Sequence, residues 1–217
     1  MASRIMHLVI GEKLIEKLKI KDRHAFIYGN FAPDLSKYRQ MDYGRAHFAY
    51  ADDQVKGINF KNFEDMYEKH LQEDDFYRGY LCHLITDAIW VKHIQQAYVR
   101  HDRSNKHVLY KKGYEDMKAY NPYLINYFKL KPYKGTSQGR GLDLFDERDY
   151  TCLLEDLAGD FMIQEDSTYE FQVYPPGPIL HFISHTIEVL SAYLGRNKTT
   201  TLCPRDYYVV NQDEMKE

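Results

Sequence analysis

The chain has 217 residues, 44% of them hydrophobic and 28% charged, with a formal net charge of -3 at pH 7. A length of this order buries one good core, so residues 1–217 are expected to form a single helical domain with a polar tail from about residue 198. The slightly acidic balance speaks against a general nucleic-acid binder, and three scattered cysteines (Cys82, Cys152, Cys203) against a disulfide framework or a thiolate zinc site.

The first residues, Met-Ala-Ser-Arg-Ile-Met-His, lead straight into an amphipathic pattern, and no stretch reaches membrane-spanning length. A cytoplasmic location is therefore expected. Ser3 can cap a helix running to about Leu18, with Ile10, Leu14 and Leu18 on one stripe and His7 beside them. Gly11 lies one turn beyond His7 and removes bulk next to the imidazole. A short helix from Arg23 to Tyr28 should end at Gly29, and Pro33 should push Ala32 out of helical geometry, leaving Asp34 just after a stiff corner. Asp34 is either a helix cap or a carboxylate held in place for chemistry. Lys37 to Gly57 reads as irregular and contains His47; a helix from Asn62 should turn Phe63, Met66, Tyr67 and Leu71 inward.

Asp74 and Asp75 can cap a central helix reaching about Val99. Between Gly79 and His93 its apolar residues point almost all the way round, which places it in a core. Yet His83 and Asp87, four residues apart, put an imidazole and a carboxylate on one face. A carboxylate among Leu, Ile and Trp is costly unless something compensates it. Two readings follow: the pair satisfies itself by hydrogen bonds, or it holds a metal. His93 falls about 80° off the His83/Asp87 line, better placed for a neighbouring ion than for the same one.

From Lys106 to about Lys129 the pattern suggests two tyrosine-rich helices broken at Asn121-Pro122, their tyrosines forming a core rim or an amphipathic groove. Leu130 to Leu142, rich in Gly and Ser, is the candidate lid. Helices follow from about Phe145 to Ile163 and from the Pro-Pro-Gly-Pro run to Gly195. The last carries His181 and His185, four apart, a metal-binding spacing on a helix. No strand stands out, so the expected fold class is all-α, a multi-helix bundle around a buried central helix.

His7, Asp34, His47, His83, Asp87, His93, His181 and His185 thus lie on inward or fixed positions, and imidazole with carboxylate suits catalytic zinc better than a closed structural site. The His83-x3-Asp87-x5-His93 element, with the Ala-Pro-Asp turn upstream and the late His181-x3-His185 helix, resembles the zinc-dependent phospholipase C family and its all-helical relatives, the single-strand-specific nucleases. The resemblance implies one zinc on Asp34, His47, His83 and Asp87, a second on His93 with His181 and His185, and a third on His7 with Asp87 as a bridge. It further implies two or three ions, with other divalent metals able to replace zinc. The implied activity is hydrolysis of a phosphoester, most simply a diester, by metal-bound hydroxide, with Asp34 orienting or deprotonating the water. A small phosphoester or a phospholipid headgroup is the implied substrate. From a different class, the same residues fit a non-catalytic helical protein whose metals or buried hydrogen bonds hold the core together.

Overall fold

Ser3 accepts a hydrogen bond from the Met6 amide and opens α1 (Arg4–Leu18), which ends where Lys19 turns left-handed (φ 52°). The computed structural model describes residues 1–38, 42–135, 147–195 and 200–211. Asp22 caps α2 (Arg23–Phe31), which runs through Gly29 instead of stopping there. The reason is packing. A Cβ at Gly29 would strike the Phe76 carbonyl oxygen, and one at Gly79 would strike that of Phe26, so the two glycines let α2 lie against the central helix backbone to backbone. A 3-10 helix, Ala32–Tyr38, follows directly. Ala32 stays helical (φ -56°, ψ -40°), contrary to the expected effect of Pro33: the clash of the proline ring with the preceding residue disfavours this geometry without forbidding it, and the turn is buried from Ala32 to Ser36.

The irregular stretch holds more order than its sequence suggests. α3 (Tyr43–Ala46) leads into β1 (Ala49–Ala51) and β2 (Val55–Ile58), which pair antiparallel, and β3 (Val209–Val210) adds to the other edge of β2. Asp52 fixes the β1–β2 turn by accepting from the Gln54 and Val55 amides. These strands are too short to display an alternating pattern, which is why none was expected. Next come α4 (Phe60–Met66) and α5 (Glu68–Glu73); Met66, expected inward, is 61% exposed.

Asp74 caps α6 (Asp75–Trp90), which is buried from Gly79 to Trp90 and passes through a π-helical turn, Val91–Gln95, into the short α7 (Gln96–Tyr98). α1, α2, α4 and α10 (Pro176–Leu194) pack around it. α8 (Lys106–Phe128) is one helix through Pro122, not two. Packing overrides the break: Tyr120, Asn121, Pro122 and Leu124 are all buried, and the Asn121 side chain donates to Asp160 of α9 (Glu147–Met162). Gly195 follows the end of α10 as expected. Most of the expected lid, residues 136–142, lies outside the described residues. The fold is all-α apart from the small sheet, and among the described residues no helix is long and apolar enough to cross a membrane.

Candidate metal centre

Five of the eight expected residues meet beside α6. α1 supplies His7, the 3-10 helix Asp34, the end of α3 His47, and α6 itself His83 and Asp87; all are fully buried except Asp34, which is 5% exposed. His83 Nε2 lies 3.4 Å from Asp87 Oδ2, and His7 Nε2 lies 3.3 Å from Asp87 Oδ1. His47 Nε2 is 3.7 Å from Asp34 Oδ1 and 3.8 Å from Asp87 Oδ2. These atoms form two overlapping groups, His7 with His83 and Asp87, and Asp34 with His47 and His83.

Backbone carbonyls set the imidazoles. His83 Nδ1 faces the Asn30 carbonyl at 2.8 Å, and His47 Nδ1 faces the Tyr43 carbonyl at 3.1 Å. A carbonyl only accepts, so both Nδ1 atoms carry protons and both Nε2 atoms turn inward as potential ligands. Asn30 has a second duty: its amide donates to the His7 carbonyl at 2.7 Å. Gly11 makes this possible, since a Cβ there would lie 2.9 Å from the Asn30 amide nitrogen; it makes room for α2, and not directly for a ligand at His7. The rings of His7 and His83 stack at 4.0 Å, and Tyr43 stacks on His47 at 3.8 Å. Phe48, just after His47, takes a left-handed conformation (φ 49°), which costs a non-glycine residue about 1–2 kcal/mol. Its ring, edge-on to Phe63 and Tyr80, holds that reversal in place. The Ala2 amide reaches the same centre and donates to Asp87 Oδ1 at 2.9 Å.

The centre lacks a positive charge. Both ring nitrogens of His7, Asp34 Oδ1 and Asp87 Oδ2 are buried without a hydrogen-bond partner. Burial favours a neutral Asp87, but His83, His7 and the chain's terminal amine outweigh it and hold the carboxyl well below its usual range. Asp34 is held low in the same way, burial being overcome by the neighbouring His47 and the charge of His83. Burial, then the proximity of His83, lowers His7; burial also dominates in lowering His47. Burial works against a charged His83 too, yet the Asp87 carboxylate prevails and raises it. Two carboxylates held low thus face three buried imidazoles, an arrangement that a bound cation would balance.

His47 Nε2 and His83 Nε2 stand 3.3 Å apart. A tetrahedral zinc bound to two imidazoles at its usual bond length spaces their nitrogens by about 3.3–3.4 Å. The donor set, nitrogen and carboxylate oxygen without thiolate, is that of zinc in catalytic sites. Residues 6–168 match the sequence pattern of a family described as zinc dependent phospholipase C. The chain belongs to this family. No curated protein and no solved structure matches it. In this member of the family the clustered histidines and aspartates fit zinc binding, and the matched stretch contains all five of them.

The other three expected residues lie elsewhere. His93 sits in the π-helical turn, and His181 and His185 on α10; together they border a surface groove with Ile89, Ile94 and Phe182 and join neither buried group. The resemblance implies a second ion on His93, His181 and His185, and these three rings do lie next to one another, 5.9 Å from His93 to His185 and 6.1 Å from His181 to His185, away from the buried centre. The separation arises because His93 projects from the side of α6 facing α10, while His83 and Asp87 project toward α1 and α3. Asn30, Tyr43 and Ala2 were not anticipated at the centre. Two of them act through backbone carbonyls and one through a backbone amide, which no residue-type pattern reports.

Proposed function

We propose that this protein hydrolyses a phosphoester, most simply a phosphodiester, at a zinc centre held by His7, Asp34, His47, His83 and Asp87. The observation that carries the reading is the 3.3 Å gap between the inward Nε2 atoms of His47 and His83, each oriented by a backbone carbonyl. Asp34, His47, His83 and Asp87 would hold one ion, and His7 with Asp87 another. Zinc in such a place supplies a Lewis acid for the phosphoryl oxygens and makes water acidic near neutral pH.

The chain's own residues shape what reaches it. A cleft of about 390 Å³ opens beside the start of α1 and is bordered by Asp34, Arg4, Lys37, Lys118, Tyr110 and Tyr114. A volume of this order is typical of a small-molecule site. Asp34 alone among the five proposed ligands borders it. Its position at the mouth suits a carboxylate that accepts a hydrogen bond from the attacking water and aims it. The same carboxylate, at the edge of the cleft, can orient the water or take its proton. Lysine and arginine at the rim can take phosphate oxygens, and the tyrosine wall an apolar leaving group. A phospholipid-type substrate, with an anionic phosphate next to an apolar body, matches both.

The test is hydrolysis of diester and monoester model substrates by the whole chain, before and after chelation and after zinc is restored. Activity should vanish with the metal, return with zinc, and fall more than about 100-fold in His83→Ala. Full turnover in the chelated protein or in that variant would contradict the proposal. Bound zinc with no turnover, and loss of fold on chelation, would make the centre structural.

A further inference from the structure

We propose that the solvent face of α8 between Val108 and Lys118 is a docking surface for a bilayer that contains anionic lipid, placed beside the mouth of the cleft. At about 100° per residue, Val108, Lys111, Lys112, Tyr114, Glu115 and Lys118 fall within one half of the helix circumference, and all six are exposed. The opposite side, with Gly113, Asp116 and Tyr120, is buried.

This face carries the sign opposite to that of the whole chain. The net charge of the protein is -3, yet these six positions hold three lysines against one glutamate. Glu115 is engaged by Lys118 at 3.5 Å, which leaves Lys111 and Lys112 facing solvent. Amid these charges Val108 is 53% and Tyr114 52% exposed, and the Lys118 ammonium lies 4.9 Å from the centre of the Tyr114 ring. Lysines interleaved with an aliphatic and an aromatic side chain suit a helix lying on a membrane, where the cations meet lipid phosphates and the apolar groups enter the headgroup boundary. A nucleic-acid strand would also use lysine and tyrosine, but it has no use for the aliphatic Val108.

The place of the face points the same way. Tyr114 and Lys118 belong both to it and to the wall of the cleft that reaches Asp34. A bilayer resting on α8 therefore presents its headgroups at the cleft mouth. That purpose rests on the phospholipid-type substrate proposed above, whereas the docking itself requires no turnover.

Sedimentation of the whole chain with sucrose-loaded vesicles of phosphatidylcholine, with and without phosphatidylserine, tests the proposal, lipid products being measured in the same samples. The native protein should sediment with the anionic vesicles, leave them as salt is raised, and ignore the neutral ones. Each lysine near an anionic surface contributes about a factor of five, so Lys111→Gln/Lys112→Gln should weaken partition about 30-fold. Val108→Ser should weaken it about fivefold, and Lys111→Arg/Lys112→Arg should retain it. None of these positions lines the cleft, so Tm and hydrolysis of a soluble diester should stay native. Lys13→Gln/Lys17→Gln, beside Tyr127 and Phe128 at the far end of α8, removes the same charge and should leave partition unchanged. Equal binding to neutral vesicles, or an equal loss in both double glutamine variants, overturns the proposal. So does tighter capture of a single-stranded oligonucleotide through the same lysines. Vesicle binding without hydrolysis of any ester upholds the docking face and removes only the hydrolase reading; hydrolysis of the soluble diester without vesicle binding does the reverse.

Discussion

Asp87→Asn probes the buried centre with the smallest change of shape. Asparagine retains an oxygen to accept from the Ala2 amide, now bound at 2.9 Å, so the fold should survive. What disappears is the negative charge 3.3 Å from His7 Nε2 and 3.4 Å from His83 Nε2. Losing even an outer partner of a metal ligand weakens binding about 10–100-fold, so losing a carboxylate proposed as a direct ligand should cost at least ~100-fold, or about 2.7 kcal/mol. Zinc at about 1,000 times its dissociation constant stabilises the native state by about 4.1 kcal/mol; after a hundredfold weakening the figure is about 1.4 kcal/mol. For a chain of this length each kcal/mol moves Tm by about 2–4 °C, so the rise in Tm produced by zinc should shrink by about 5–11 °C. Thermal unfolding with excess zinc and with chelator measures it. An equal zinc-dependent rise in native and variant proteins would refute the reasoning.

Asp116 is buried in α8 and accepts from the Tyr169 hydroxyl and from the Gln172, Val173 and Tyr174 amides, so Asp116→Ala strands several donors at once. The expected loss, about 4 kcal/mol, should appear in denaturant unfolding as a lower midpoint at unchanged slope. Gly29→Ala forces a methyl group into the Phe76 carbonyl and should cost about 3 kcal/mol or more; a soluble variant with native Tm would contradict the close α2–α6 approach. Burial raises the phenols of Tyr80, Tyr150 and Tyr193 above the ordinary value of 10. The unfolded chain then loses these protons first, so stability is intact below about pH 10 and falls as pH rises beyond it. Phenolate absorbance for this group should grow together with loss of helix, not before it. Burial also pushes the Cys82 thiol up to about 12, whereas Cys203 is exposed. A thiol reagent at neutral pH should therefore label Cys203 and spare Cys82 until the protein unfolds.

The long helices were legible because their apolar spacing is regular: α1, α6 and α10 stand close to where periodicity places them, and the first two carry three of the residues at the centre. Of those at the centre, spacing alone paired only His83 with Asp87; the family resemblance added His7, Asp34 and His47, and the five side chains do come together. Their orientation was not foreseen, because it depends on carbonyls of Asn30 and Tyr43 brought close by tertiary packing. Gly29 and Pro122 misled for one reason. Local rules treat glycine and proline as stops, whereas here glycine permits a backbone-to-backbone crossing and buried neighbours carry the helix past proline. His93 shows the opposite limit. Its offset of about 80° from the His83/Asp87 line turns it away from the buried centre, and it meets His185 of α10, a direction the spacing gives but a contact only the packing shows.

Anomalous scattering at the zinc absorption edge, from crystals of the protein grown without added chelator and assayed for diester hydrolysis, tests the buried centre most directly. The account predicts peaks among the facing nitrogens and carboxylate oxygens of His47, His83, Asp34 and Asp87, with a neighbour beside His7. Active crystals with no anomalous density at those atoms would contradict it.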